Sequence, residues 1–126
     1  MTAIGKVRRA FDITTPAQEA ALASLDSPEE LTRRREVNAA GRPRLEAILR
    51  EHGLDPVGPA VANFVFVEVG EDSRPPFERL LREGVIVRPT HGFGAPDAIR
   101  VTVGTDEEHE LLSSALDRVA SAALSS

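Results

Sequence analysis

The chain has 126 residues, enough for one domain, with 41% apolar and 28% charged residues, a net charge of −5 and no cysteine. That composition excludes a general basic footprint for nucleic acid, and with it disulfides, thiolate metal sites and a cysteine nucleophile. No apolar run approaches the roughly 20 residues of a membrane span, and the N-terminal MTAIGKVRRA has no hydrophobic signal core, so the expected location is cytoplasmic, away from membranes.

In chain order, Thr15-Pro16-Ala17-Gln18 reads as a capping box with proline at the first helical position, predicting a helix from about Pro16 to Leu25. Ser27-Pro28-Glu29-Glu30 repeats that signature and opens a second helix, on which Leu31, Asn38, Leu45, Ile48 and Leu49 fall roughly on one face. Arg33, Arg34 and Arg35 lie mostly off that face, as a solvated surface paired with Glu29, Glu30 and Glu36. Pro43 lacks an N–H and clashes with the carbonyl of residue 39, so a kink or short break is expected there, with the helix resuming to about His52. Gly53 suits a left-handed C-terminal cap, and Pro56 blocks continuation.

Asn63 to Val69 (NFVFVEV) reads as a strand with both faces covered. Pro75 to Arg82 reads as a short helix burying Phe77, Leu80 and Leu81, ended by Gly84. Strands follow at Val85 to Arg88 and at Ala98 to Val103. Thr105-Asp106-Glu107-Glu108 opens a last helix whose apolar stripe is Leu111, Leu112, Ala115, Leu116 and Val119, with fraying expected over Ser121 to Ser126. The order of elements describes an α+β fold: a small, mainly antiparallel sheet of about three strands packed against helices.

The two strands around the Gly/Pro loop each carry one arginine, Arg88 and Arg100. An arginine inside an apolar run is either on a solvated face or aimed at an anion, and two at the ends of one connection can converge on a single anionic ligand. Gly92-Phe93-Gly94 is not a dinucleotide fingerprint, because it lies between two strands and not between a strand and a helix; its glycines suit positive φ in a tight connection. His52, His91 and His109 are not spaced as metal ligands; His109 is expected on an exposed helix turn, and His91 sits beside the arginines. Asn63 is expected to hydrogen-bond structurally at the start of its strand.

Taken together, FDITTPAQEAALASL, ANFVFVEV, GVIVRP and AIRVTVGTDEEHELLSSAL, in that order, resemble the C-terminal part of histidinol-phosphate aminotransferases, from about Val7 to Val119. These are fold-type I, pyridoxal-phosphate-dependent enzymes of the class I/II aminotransferase family. Relatives share a version of the last motif, whereas the ANF motif and the pairing of VRP with IRVTVG favour the histidinol-phosphate branch. The resemblance implies that residues 1–26 are a segment and helix from the end of a large domain, and that 27–126 form the small C-terminal domain. It implies that Arg100 binds the α-carboxylate of glutamate or 2-oxoglutarate and that Arg88 lies near the phosphate end of histidinol phosphate. Asn63 matches a position near the domain interface, with no contact assigned.

The chain departs from the family in one respect. Its basic residues are fourteen arginines and a single lysine, Lys6, whose setting AIGKVRR does not match the Schiff-base motif. No pyridoxal phosphate is therefore expected to be held by this chain alone, and no catalytic residue is assigned. The expected function is that of a small-domain portion of a histidinol-phosphate aminotransferase, silent by itself and binding its small anionic substrate only together with the large domain. The alternatives are a free-standing small-anion-binding or protein-interaction module, and half of a split aminotransferase. Apolar residues that would face a large domain lead to an expectation of self-association, by exchange of the first helix, or of a large-domain partner.

Overall fold

The structure is a computed structural model and describes residues 13–70 and 72–123. Lys6 and the end of the tail, 124–126, lie outside the described residues. The chain divides into two compact units, Met1–Arg35 and Glu36–Ser126.

In the first unit, α1 spans Thr15–Leu25. Its N-cap is Thr14, not Thr15, and the expected capping box does not form. Thr15 is already helical and Pro16 has no N–H to offer, so the Gln18 side chain turns outward and donates to the Ile13 carbonyl at 3.2 Å. No residue of α1 is buried. Helix α2, Pro28–Glu51, begins in this unit, where Glu30 accepts from both Arg33 and Arg34 at 2.7 Å. These hydrogen bonds, Arg33 first, hold the Glu30 carboxyl down at about 2.

The break expected at Pro43 is absent: α2 runs uninterrupted through Gly41 and Pro43 to Glu51. The lost backbone bond, about 3 kcal/mol in a helix interior, is offset by the turns beyond it, where Leu45 and Leu49 are fully buried. The helix ends as the sequence suggests. Gly53 takes φ 73°, and the Leu54 amide reaches back to the Leu49 carbonyl at 2.9 Å.

The second unit is an α+β arrangement around a three-stranded antiparallel sheet, β1 (Phe64–Glu68), β2 (Arg88–Pro89) and β3 (Ala98–Thr102), in the order β1-β3-β2. Side chains alternate along each strand, so Val65, Val67, Ile99 and Val101 fill one face and join Leu45, Leu49, Leu80, Leu112, Ala115 and Leu116 in a single core. The opposite face is only partly covered: Phe64 and Phe66 are half-buried. The strand expected over Val85 to Arg88 shrinks to Arg88 and Pro89. Gly84 at φ 82° ends α3 (Arg74–Arg82), and the Val85 amide is drawn to the Leu80 carbonyl, so the chain joins the sheet only at residue 88. In α3, Leu80 is buried and Phe77 half-buried, but Leu81 is exposed.

Helix α4, Asp106–Ala123, opens with the capping box expected at Thr105. The Thr105 amide donates to Glu108 Oε2 at 2.7 Å and the Glu108 amide to Thr105 Oγ1 at 3.3 Å. Of its stripe, Leu112, Ala115 and Leu116 are buried, Val119 is half-buried and Leu111 is exposed. His109 overturns its expectation, being 2% exposed and not on a solvated turn. It faces α2 near Gly41 and accepts the Gly104 amide through Nε2 at 3.2 Å, which places its ring proton on Nδ1.

Candidate anion site on the open face of the sheet

In the β2–β3 register Arg88 stands directly opposite Arg100. Paired residues on neighbouring antiparallel strands point to the same face with Cβ atoms about 5 Å apart, so both arginine side chains leave the sheet on its open face. Among the described residues neither arginine makes a hydrogen bond or an ion pair with protein groups. Like charges set opposite one another destabilise a sheet unless an anion comes between them. Their contacts are aromatic: the Arg88 guanidinium lies 5.1 Å from the Phe93 ring centroid and that of Arg100 4.6 Å from Phe64.

The two arginines line a cleft of about 620 Å³ together with Phe77, His91, Phe93 and Thr102, among others. Thr90, behind the cleft lining, anchors the loop that forms one wall. Its hydroxyl lies 2.8 Å from the Ala95 carbonyl and 2.7 Å from that of Ala98, its amide donates to Ala98, and its own carbonyl accepts from Phe93 and Ala95. This buried clasp folds residues 91–93 into a 3₁₀ turn, closed by Gly94 at φ 87°. Positive φ is needed at Gly94 but not at Gly92. His91 and Phe93, both exposed, are thereby carried beside the arginines. Arg74 is engaged elsewhere: it pairs with Asp72, whose carboxyl is lowered to about 2, chiefly by the Arg74 side-chain hydrogen bond and then by the Arg74 amide.

The sequence pointed to Arg88, Arg100 and the nearby His91, and the structure brings all three to one cleft. Asn63 is exposed; its carbonyl accepts the Val103 amide at 2.9 Å. Sequence reasoning missed Thr90 and Phe64. The first is one threonine in a loop, and the second becomes the neighbour of Arg100 only once the register is known.

A model of class I and II aminotransferases matches residues 1–116. The chain belongs to the class I and II aminotransferase family. It is 44% identical over 116 residues to histidinol-phosphate aminotransferase 2 of Methylococcus capsulatus, covering 92% of this chain and 31% of that protein. It is 40% identical to histidinol-phosphate aminotransferase 2 of Pseudomonas fluorescens, with the same coverages of 92% and 31%. Among solved structures, histidinol-phosphate aminotransferase from Sinorhizobium meliloti, in complex with pyridoxal-5'-phosphate, superposes with a TM-score of 0.72 at 30% identity, over 93% of this chain and 33% of that one. The chain thus spans about a third of the length of the aminotransferases it matches.

The family is pyridoxal-phosphate-dependent, and a Schiff base to that cofactor requires an amine side chain. The described residues contain no lysine at all. Their donor set does not fit covalent attachment of the cofactor, and what they offer chemically is the recognition of anions.

Proposed function

We propose that this chain is the C-terminal, small-domain portion of a histidinol-phosphate aminotransferase, contributing substrate-binding arginines to a cytoplasmic biosynthetic enzyme whose lysine-bearing part lies in the remaining two thirds. The observation that carries this reading is the facing pair Arg88 and Arg100, both without a counter-ion among the described residues, on a cleft in a chain related to such enzymes. Arg100 is the fork for the α-carboxylate of glutamate or 2-oxoglutarate. Arg88 serves the phosphate end of histidinol phosphate. A planar guanidinium meets either group with two parallel hydrogen bonds, and its contribution is orientation and charge complementarity. By itself the chain is silent in transamination.

Co-expression with the lysine-bearing part of a related histidinol-phosphate aminotransferase is the direct test, read as amino transfer from histidinol phosphate to 2-oxoglutarate. Activity that needs both pieces and falls in Arg100→Ala supports the reading. A correctly assembled pair that remains inactive rejects it. One observation favours a second reading, a free-standing anion-binding module: the whole cleft lies within the compact unit Glu36–Ser126. Tight phosphate binding by the chain alone, lost in Arg88→Ala, would favour that reading.

A further inference from the structure

The sequence singles out Arg100 but gives no account of what aims it. We infer that Phe64 is a positioning residue for Arg100, holding its guanidinium so that the two terminal nitrogens present their edge to an incoming carboxylate. The inference rests on the reading of Arg100 as a carboxylate fork.

Arg100 sits on the central strand, with Phe66 opposite it on β1 and Arg88 opposite it on β2. Phe64 pairs with Thr102, which makes it the diagonal neighbour of Arg100 on the same face, within reach of a long side chain. The guanidinium carbon lies 4.6 Å from the Phe64 ring centroid, so Arg100 leans toward β1 and away from Arg88. Two reinforcing effects set that lean. Repulsion from Arg88 drives the guanidinium off the β2 side, and the electron-rich face of the ring draws it to the β1 side.

The nitrogens of Arg100 are not equivalent. Nε is sealed from solvent and has no hydrogen-bond partner among the described residues, whereas Nη1 and Nη2 are not sealed in this way. A sealed, unpaired N–H is costly, and the attraction between the guanidinium and the Phe64 ring face offsets part of that cost. With the Nε edge closed, a carboxylate must approach end-on, through Nη1 and Nη2. Arg88 has no such restraint. It is exposed, its ring partner Phe93 is 70% exposed, and their contact is the longer one at 5.1 Å.

The test uses the 126-residue chain assembled with the lysine-bearing part of a related histidinol-phosphate aminotransferase, with 2-oxoglutarate as the probe and NMR of the arginine Nε–H groups as a second readout. In the wild type, the Arg100 Nε–H should be shielded by the ring current and should exchange with water more slowly than that of Arg88. Phe64→Leu should abolish the shielding, speed exchange and weaken 2-oxoglutarate binding by about three- to tenfold, the range expected for loss of a cation–π contact. Phe64→Tyr should restore both readouts. Phe64→Met serves as the second non-aromatic variant if Phe64→Leu fails to fold. Binding and Nε–H behaviour unchanged in a folded non-aromatic variant would overturn the inference. A wild type with the shielded, slowly exchanging Nε–H but no affinity for 2-oxoglutarate would reject the carboxylate reading instead, and leave the placement of the guanidinium by Phe64 standing.

Discussion

Gly41 and Val103 meet where α2 crosses the end of β3: a Cβ at position 41 would lie 2.6 Å from Val103 Cγ1. An ordinary Gly→Ala change inside a helix is worth up to about 1 kcal/mol in favour of alanine. Here a β-branched side chain, stiff about χ1, stands in the way, and overpacking of this kind costs about 1–3 kcal/mol. Gly41→Ala is therefore expected to destabilise the fold by about 1 kcal/mol net, read as a lower urea midpoint. The double variant Gly41→Ala/Val103→Ala should recover part of the loss; strict additivity of the two single changes would show that the contact is not the cause.

His109 is expected to make the fold acid-sensitive. Its ring titrates below the ordinary histidine value, first because burial penalises the imidazolium and next because Arg44 lies nearby. The unfolded chain takes up that proton near the ordinary value of 6.5, while the folded state resists it. Stability from this group is thus complete above about pH 6.5 and declines as the pH falls below it. Protonation of Nε2 also removes the acceptor for the Gly104 amide. His109→Gln, which can keep an acceptor but does not titrate, should show a smaller loss of urea midpoint between pH 7.5 and 5.0 than the wild type. Parallel pH curves for the two proteins would contradict this account.

Arg88 and Arg100 should behave as one electrostatic unit. With the chain assembled with the lysine-bearing part of a related aminotransferase, binding of inorganic phosphate, followed by NMR titration, is expected to weaken several-fold in either Arg88→Ala or Arg100→Ala and to weaken further with added salt. With no ligand present, either single alanine should leave thermal stability unchanged or slightly raised, because it relieves the like-charge pair. A clear drop in Tm would mean that the arginines serve the fold and not a ligand.

Leu22 and Leu25 of α1 are 59% and 74% exposed. We expect the chain to self-associate or to bind a large-domain partner through such surface. Multi-angle light scattering at rising concentration should show mass above that of a monomer, reduced in Leu22→Gln/Leu25→Gln. A constant monomeric mass would argue against self-association.

Much of the fold was legible because the signals are local. The Thr105/Glu108 capping box, the left-handed cap at Gly53 and the period-2 pattern of Val65 and Val67 each depend on residues within a few positions. The misreadings have a different origin. Pro43 reads as a break because sequence records the missing N–H but not the burial of Leu45 and Leu49 that holds the helix together. His109 reads as exposed because nothing near it in sequence reveals that α2, with Gly41 at the contact, covers it. Residues 85–87 read as strand from their β-branched side chains, yet the turn at Gly84 delays pairing until Arg88.

By itself, then, the sequence determined the α+β architecture, the family resemblance and the two arginines worth watching. It did so because helix periodicity, capping and strand alternation are written over short spans of chain. Only the tertiary structure decided that Arg88 and Arg100 face each other, that Phe64 rather than a carboxylate lies against Arg100, and that Thr90 folds the wall beside them. Those relations depend on strand register, and register is set by how the whole sheet packs its buried face, a balance that no single segment of the sequence contains.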